Sequence, residues 1–345
     1  MEIITQKFEK YQAREIKKVT LKNDYGVAIS CLSMGATWYE FLVPDKDGNK
    51  HNLIMNFAHC ADYYSNGLCC CQSIGRVAGR IKKGHFKLNQ QEVQLLPNEN
   101  GNTLHGGNHG FRFLNWKITT QKEHNSVSVI FSNKISEKID GFPGDLDVEI
   151  KYTLNNQNQV MILYTAKSGS KSTLFNPTCH AYFNLSDQPN LASHKLKINS
   201  TQYLELDTEL IPTGNMLAVE NTPYDFRDFQ NLESAISKNN GFDDAFVIDG
   251  ASTNLRPVAV LSEQTSGRAI TISSDSNCLV VYTMSQNQPG VKFIRDGGKF
   301  TQPSEAVALE AQTLPDAINN DDFGNIVLPA NTTKSHEIVF TFTQK

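Results

Sequence analysis

No stretch of the chain approaches the ~18 consecutive apolar residues that cross a membrane, so no membrane partner is expected. The opening MEIITQKFEKYQAREIKKVT lacks the apolar core of a secretory signal, which makes the cytoplasm the expected compartment. Cysteine is sparse and badly placed for cross-linking. There are seven, an odd number, three of them contiguous at 69–71, and no C-x-x-C occurs, which argues against a disulfide framework and against a zinc ribbon. The phosphate-loop pattern, G-x-G-x-x-G after a strand, H-E-x-x-H and G-x-S-x-G are all missing. Readings as an ATP, NAD, zinc-protease or serine-hydrolase protein therefore lose their usual support. Neither sign of charge dominates: 32 Lys plus Arg stand against 36 Asp plus Glu, net −4, which leaves no basic face for nucleic acid.

What the chain does have is period-two alternation. Leu146, Val148, Ile150, Tyr152 and Leu154 alternate with Asp145, Asp147, Glu149, Lys151 and Thr153, as a half-buried antiparallel strand requires. The turn-prone NNQNQ at 155–159 leads into VMILYTA at 160–166, so the pair reads as a hairpin. Residues 126–131 and 338–343 alternate in the same way. Shorter strand-like runs lie at 26–32, 37–43, 53–57, 86–88, 116–119, 196–198, 203–206, 269–273 and 279–284. Helical periodicity is thin; 231–238 is long enough for two turns, and the first 20 residues show none. The pattern predicts an all-β sandwich or barrel. The 345 residues contain no linker, compositional break or fixed repeat, so a single domain over 1–345 is expected. Long irregular stretches are expected near 97–115, 207–250 and 295–330, where function commonly resides.

Several polar residues lie in or beside those stretches. His105 precedes two glycines, which permit positive φ and close approach of a ligand; it is either that or a solvated loop tip. His180, Tyr182 and Asn184 alternate with Cys179, Ala181, Phe183 and Leu185, so a strand here carries either a reactive polar face or an edge ladder. Glu310 stands in the nearly uncharged AVALEAQTLPDA, where burial raises a carboxyl pKa and suits a general base; the alternative is an exposed Glu on an edge strand. Arg76 and Arg80, four apart, share a side of a strand if the segment is extended, and either fork onto ring and hydroxyl oxygens of a ligand or make surface ion pairs. Asp243, in NNGFDD, either shapes a turn or accepts hydrogen bonds from vicinal hydroxyls.

Taken in order, IGRVAGRI (74–81), TLHGG (103–107), DGFPG (140–144), NPTCHAYFNL (176–185), GFD (241–243), QPG (288–290) and LEAQTLPDA (309–317) resemble the galactose mutarotase, or aldose 1-epimerase, family over roughly residues 20–345. The resemblance implies a large antiparallel β-sandwich of the galactose mutarotase-like supersandwich type, with an open cleft for a free sugar. It implies an isomerase of carbohydrate and hexose metabolism that interconverts α and β anomers of an aldose such as galactose or glucose, with no cofactor and no metal. By position, Glu310 resembles the family's base and His180 its acid. His105 matches a second histidine that positions or polarises the sugar. Arg80, Asp243 and Gln288 match substrate contacts, and Tyr182 lies beside the acid. One departure is Gly79, where many relatives carry Asn, and Arg76 receives no role. The free monosaccharide or reducing disaccharide is the expected partner. A glycoside hydrolase, with Asp243 and Glu310 as its carboxylates, and a non-catalytic sugar-binding protein are the competing classes.

Overall fold

The alternation at 146–154 becomes the strand Leu146–Asn155, with all five apolar residues buried. Its chain reverses through Asn158, at φ +57°, into Gln159–Ser168. These strands belong to a computed structural model that describes residues 1–45, 47–250 and 254–344. The hairpin sits inside a nine-stranded antiparallel sheet. Its order is Lys117–Lys122, Ser126–Ile135, Leu146–Asn155, Gln159–Ser168, Thr333–Gln344, Arg268–Ser274, Arg256–Glu263, His194–Ile198 and Gln230–Asn231. A six-stranded sheet has the order Tyr182–Phe183, Val307–Gln312, Cys278–Tyr282, Asp243–Ile248, Ser200–Leu206 and Pro212–Ala218. The first 52 residues add a five-stranded meander, from Glu2–Tyr11 to Lys50–Asn52. The large antiparallel β-sandwich is thus present.

Trp38 ties the three sheets together. Its ring meets Phe41 of its own strand at 5.1 Å, Phe340 of the nine-stranded sheet at 5.2 Å and Phe183 of the six-stranded sheet at 6.0 Å. Apolar residues from Ile16 to Phe342 join one buried cluster around it. Register then decides what the six-stranded sheet shows on its other side. Glu310 pairs with Val280, Ala308 with both Tyr182 and Tyr282, and Asp243 with Tyr282. Directly opposed residues share a face. Val307, Leu309 and Ala311 therefore enter the core, while Tyr182, Glu310, Tyr282 and Asp243 line the outer face.

The structure departs from the sequence reading in several places. The stretches 207–250 and 295–330 are not irregular throughout: they contain the strands Pro212–Ala218, Asp243–Ile248 and Val307–Gln312. Val307–Gln312 is buried on both faces, so it lacks the alternation by which half-buried strands are recognised. The first 20 residues form a long hairpin whose turn, Gln12-Ala13, takes positive φ (47° and 62°) without glycine. Residues 53–57 make only an isolated bridge, Ile54 to Phe183. Residues 231–238 are largely the helix Leu232–Asn239, capped by the Asn231 side chain. Among the described residues no helix is long and apolar enough to cross a membrane.

Arg76 and Arg80 do not share a side. Arg76 is fully buried; its Nε and Nη2 donate to the two carboxylate oxygens of Asp140 at 2.6 and 3.0 Å, and Nη1 donates to the carbonyls of Pro143 and Gly144 and to Thr173. The DGFPG segment is therefore the socket of a structural arginine. Burial holds the Asp140 carboxyl above its ordinary pKa, against the pull of Arg76. Removing one partner of such a pair strands the other, so Asp140→Ala is expected to cost about 3–5 kcal/mol. Urea denaturation followed by fluorescence checks this; an unchanged midpoint would show that the pair does not matter.

Candidate active site

Three separate stretches bring their side chains to the outer face of the six-stranded sheet. Glu310 comes from the buried strand Val307–Gln312. His180 lies between the two-residue strands Thr178–Cys179 and Tyr182–Phe183, held by its own N–H to Gln72 O (3.1 Å) and by Cys71 N–H to its carbonyl (2.9 Å). His105 follows Thr103–Leu104, which pairs with Arg80–Ile81. The glycines after His105 have a steric reason. Gly106 sits at φ +80°, and a Cβ there would lie 2.0 Å from the carbonyl oxygen of Gly75. His105 itself is at φ +53°, and its backbone N–H donates to Gly79 O at 3.0 Å.

His180 Nε2 lies 3.3 Å from Glu310 Oε1. The His180 ring stacks on Tyr182 at 5.0 Å and meets the His105 ring edge-on at 5.3 Å. The three side chains open onto a cleft of about 450 Å³, also lined by Arg80, Asp243, Tyr282 and Gln288. Glu310 Oε2 and His180 Nδ1 are buried without a hydrogen-bond partner among the described residues. Buried polar atoms of this kind call for a partner, and here both belong to side chains that line the cleft.

Burial controls the electrostatics. It raises the Glu310 carboxyl well above the usual range, and the charge of Asp243 adds to this while Arg80 opposes it. Burial also pushes the His180 imidazole down to about 3, helped by Arg112. His105 is driven well below its ordinary value by burial, then by His180, Arg80 and Arg112. Asp243 is raised by burial, with Arg80 pulling it down and Glu99 pushing it up. Asp244 reaches about 6, chiefly through burial.

The tautomer of His105 is set by the backbone. Gly79 N–H donates to His105 Nδ1 at 3.2 Å, so the neutral ring carries its proton on Nε2 and donates from there. Donor atoms of His105, His180 and Glu310 all lie within 4.8 Å of one another, a spacing that a divalent metal could bridge. A metal-bound histidine ordinarily donates its second ring N–H to an acceptor. Here the second nitrogen of His105 is itself an acceptor, an arrangement suited to hydrogen bonding and proton transfer. Gly79 also explains the departure from Asn: at φ +74° a Cβ would lie 2.9 Å from Pro315 Cβ and 3.3 Å from Gln312 Nε2.

The sequence candidates mostly converge. His105, His180, Tyr182, Glu310, Arg80, Asp243 and Gln288 all line the cleft. Glu310 is 2% exposed on an internal strand, paired on both sides, and the His105 ring faces the cleft, so the edge-strand and loop-tip alternatives fall away. Asn184 does not share the face of His180 and Tyr182. It is fully buried and its amide donates to the carbonyls of Gln188, Asn190 and Glu305, because the chain is extended only in two-residue pieces here. Glu99, Asp244 and Tyr282 also line the cleft but carried no sequence signal for it, and Gly79, the position of the departure from Asn, lines it too. Glu99 opens the turn Glu99-Asn100-Gly101-Asn102, and its Asn-Gly pair signals only the turn.

A family model described as Aldose 1-epimerase matches residues 17–341. The chain belongs to the aldose 1-epimerase family. An aldose 1-epimerase of Streptococcus thermophilus is 45% identical, over 99% of both chains. A maltose epimerase of Levilactobacillus brevis is 38% identical over 96% of both. The crystal structure of galactose 1-epimerase from Lactobacillus acidophilus NCFM superposes with a TM-score of 0.86 at 26% identity, covering 99% of each chain. As a member of the aldose 1-epimerase family, the chain is an isomerase of carbohydrate metabolism that exchanges the α and β anomers of an aldose.

Nitrogen NMR of histidine-labelled protein checks the electrostatics of the second histidine. His105 is expected to show an unprotonated Nδ1 and a protonated Nε2, unchanged from pH 8 down past its ordinary pKa of about 6.5. Titration of that ring near pH 6.5 would contradict the assignment.

Proposed function

We propose that Glu310 and His180 carry out anomer exchange as a pair sharing one proton, with His105 as a neutral donor to a sugar oxygen. The observation that carries this is the 3.3 Å approach of His180 Nε2 to Glu310 Oε1 at the floor of the cleft. In the reactive arrangement Glu310 is ionised and His180 protonated. Glu310 takes the proton of the anomeric hydroxyl while His180 gives one to the ring oxygen, and the bond from C1 to the ring oxygen breaks. The product is an open-chain aldehyde with a protonated carboxyl and a neutral imidazole. These are the forms that burial favours, so ring opening discharges both groups. Rotation about C1–C2 presents the other face of the carbonyl. The reverse transfers close the ring and restore both charges, and the protons balance over the cycle.

Arg80, Asp243 and Gln288 would hold the sugar hydroxyls, with Tyr182 packed under the imidazole. We propose a free aldose as substrate, galactose or glucose or a reducing disaccharide such as maltose. The volume of the cleft, about 450 Å³, and the names of the relatives support this range. We also propose a single domain over the whole chain, from the apolar cluster that spans Ile16 to Phe342. A reducing, cytoplasmic setting is supported by seven buried cysteines in free form.

Replacing Glu310 with Gln keeps the shape and removes the base. Turnover is expected to fall by at least about 10²–10⁴ while sugar still binds, as read by polarimetry of freshly dissolved α-D-galactose alongside calorimetry. Rates like those of the parent protein would end the assignment.

The pair should give a bell-shaped profile of kcat/KM, whose limbs belong to the pair rather than to either residue. Activity requires one proton on the two groups. The acid limb lies where a second proton enters, below the ordinary histidine value because burial lowers His180. The alkaline limb lies where the last proton leaves, above the ordinary carboxylate value because burial and Asp243 raise Glu310. Asp243→Asn removes the repelling charge, so the alkaline limb should move to lower pH; an unmoved or higher limb would contradict the coupling.

A further inference from the structure

Arg80 reaches the cleft already engaged. Its Nε donates to Glu99 Oε2 at 2.6 Å and its Nη2 to Glu99 Oε1 at 2.9 Å, a two-point clasp that occupies one of the two edges with which arginine grips a carboxylate or phosphate. The two side chains are 15% and 28% exposed, so the pair is more than a solvated surface contact. Glu99 is held in place by a tight turn. Asn100 and Gly101 take φ of +46° and +81°, and the backbone of Glu99 exchanges hydrogen bonds with Asn102 in both directions. The Asn102 side chain in turn accepts from Lys83 N–H and donates to Glu209. The described residues lining the cleft include one guanidinium, Arg80, against four carboxyl groups, Glu99, Asp243, Asp244 and Glu310.

Resting on the anomer-exchange reading above, we infer that Glu99 is the residue that makes the site selective for uncharged aldoses. It holds the Nε/Nη2 edge of Arg80, leaving the terminal Nη1/Nη2 edge to donate to sugar hydroxyls, and it cancels the positive charge that would otherwise draw in sugar phosphates and uronic acids. Selectivity of this kind is built against the wrong ligand as much as for the right one. An anionic sugar entering the cleft meets the carboxyl groups of Asp243 and Asp244 and a guanidinium whose charge is already matched by Glu99.

Galactose and galacturonate differ at C6 alone and make the decisive comparison, with glucose and glucose 6-phosphate as a second pair. Polarimetry on the full chain should give a kcat/KM for galactose at least about 10²-fold above that for galacturonate. In Glu99→Gln that ratio should narrow by roughly tenfold, through a rise in KM for galactose and a gain on galacturonate, and Glu99→Asp should restore part of it. Equal use of both sugars by the parent protein, or an unchanged ratio in Glu99→Gln, overturns the inference while leaving anomer exchange intact. Failure of the parent protein to mutarotate any neutral aldose overturns the underlying reading and this inference with it. The parent protein supplies a check that needs no variant. Galacturonate should fail to inhibit galactose turnover at concentrations near the KM for galactose, and inhibition there counts against the role of Glu99.

Discussion

Desolvation of two neighbouring acid–base groups is the constraint around which this molecule is arranged. A carboxyl and an imidazole 3.3 Å apart would be an unremarkable ion pair at the surface. On the outer face of a sheet whose other side is core, both are driven toward their neutral forms. That demands rigid support, because the cost of burying unpaired polar atoms is met only if nothing can relax around them. Trp38 supplies part of it by clamping three sheets, and the register of the Val307–Gln312 strand places Glu310 rather than its neighbours in the cleft.

The arginines show how similar local sequences meet different fates. Within IGRVAGRI, Arg76 is wholly enclosed and Arg80 opens to the cleft. Each is met by a carboxylate through two hydrogen bonds, Asp140 in one case and Glu99 in the other. The first pair ties the 140–144 segment and Thr173 to the chain at Arg76. The second tempers a cation that faces incoming ligand. Geometry is shared; consequence follows from depth.

Much of the architecture was legible where one side of a strand meets water. Residues 146–154 and 160–166 announced their hairpin because alternation survives only when one face is wet. Val307–Gln312 did not, since both faces are dry, and the hairpin Glu2–Tyr11 with Arg14–Lys22 did not, since it lacks a turn signal and is largely exposed in its first strand. The site was legible through family resemblance rather than through pattern: His105, His180 and Glu310 lie far apart in sequence and share no spacing rule. What stayed hidden depended on three-dimensional closure. The clasp of Glu99 on Arg80, the donation from Gly79 to His105 and the withdrawal of Asn184 into a nest of carbonyls all join residues whose proximity only the folded chain creates.

The strand Thr333–Gln344 lies between Gln159–Ser168 and Arg268–Ser274, in the middle of the nine-stranded sheet. Ribosomes release that segment after every strand it must join. Until it arrives, two sheet halves present raw, apolar edges with no ladder between them, each a template for pairing with a foreign chain. Closure of the nine-stranded sheet therefore waits on a strand made after both of its neighbours, a connection of high sequence separation in the middle of the fold.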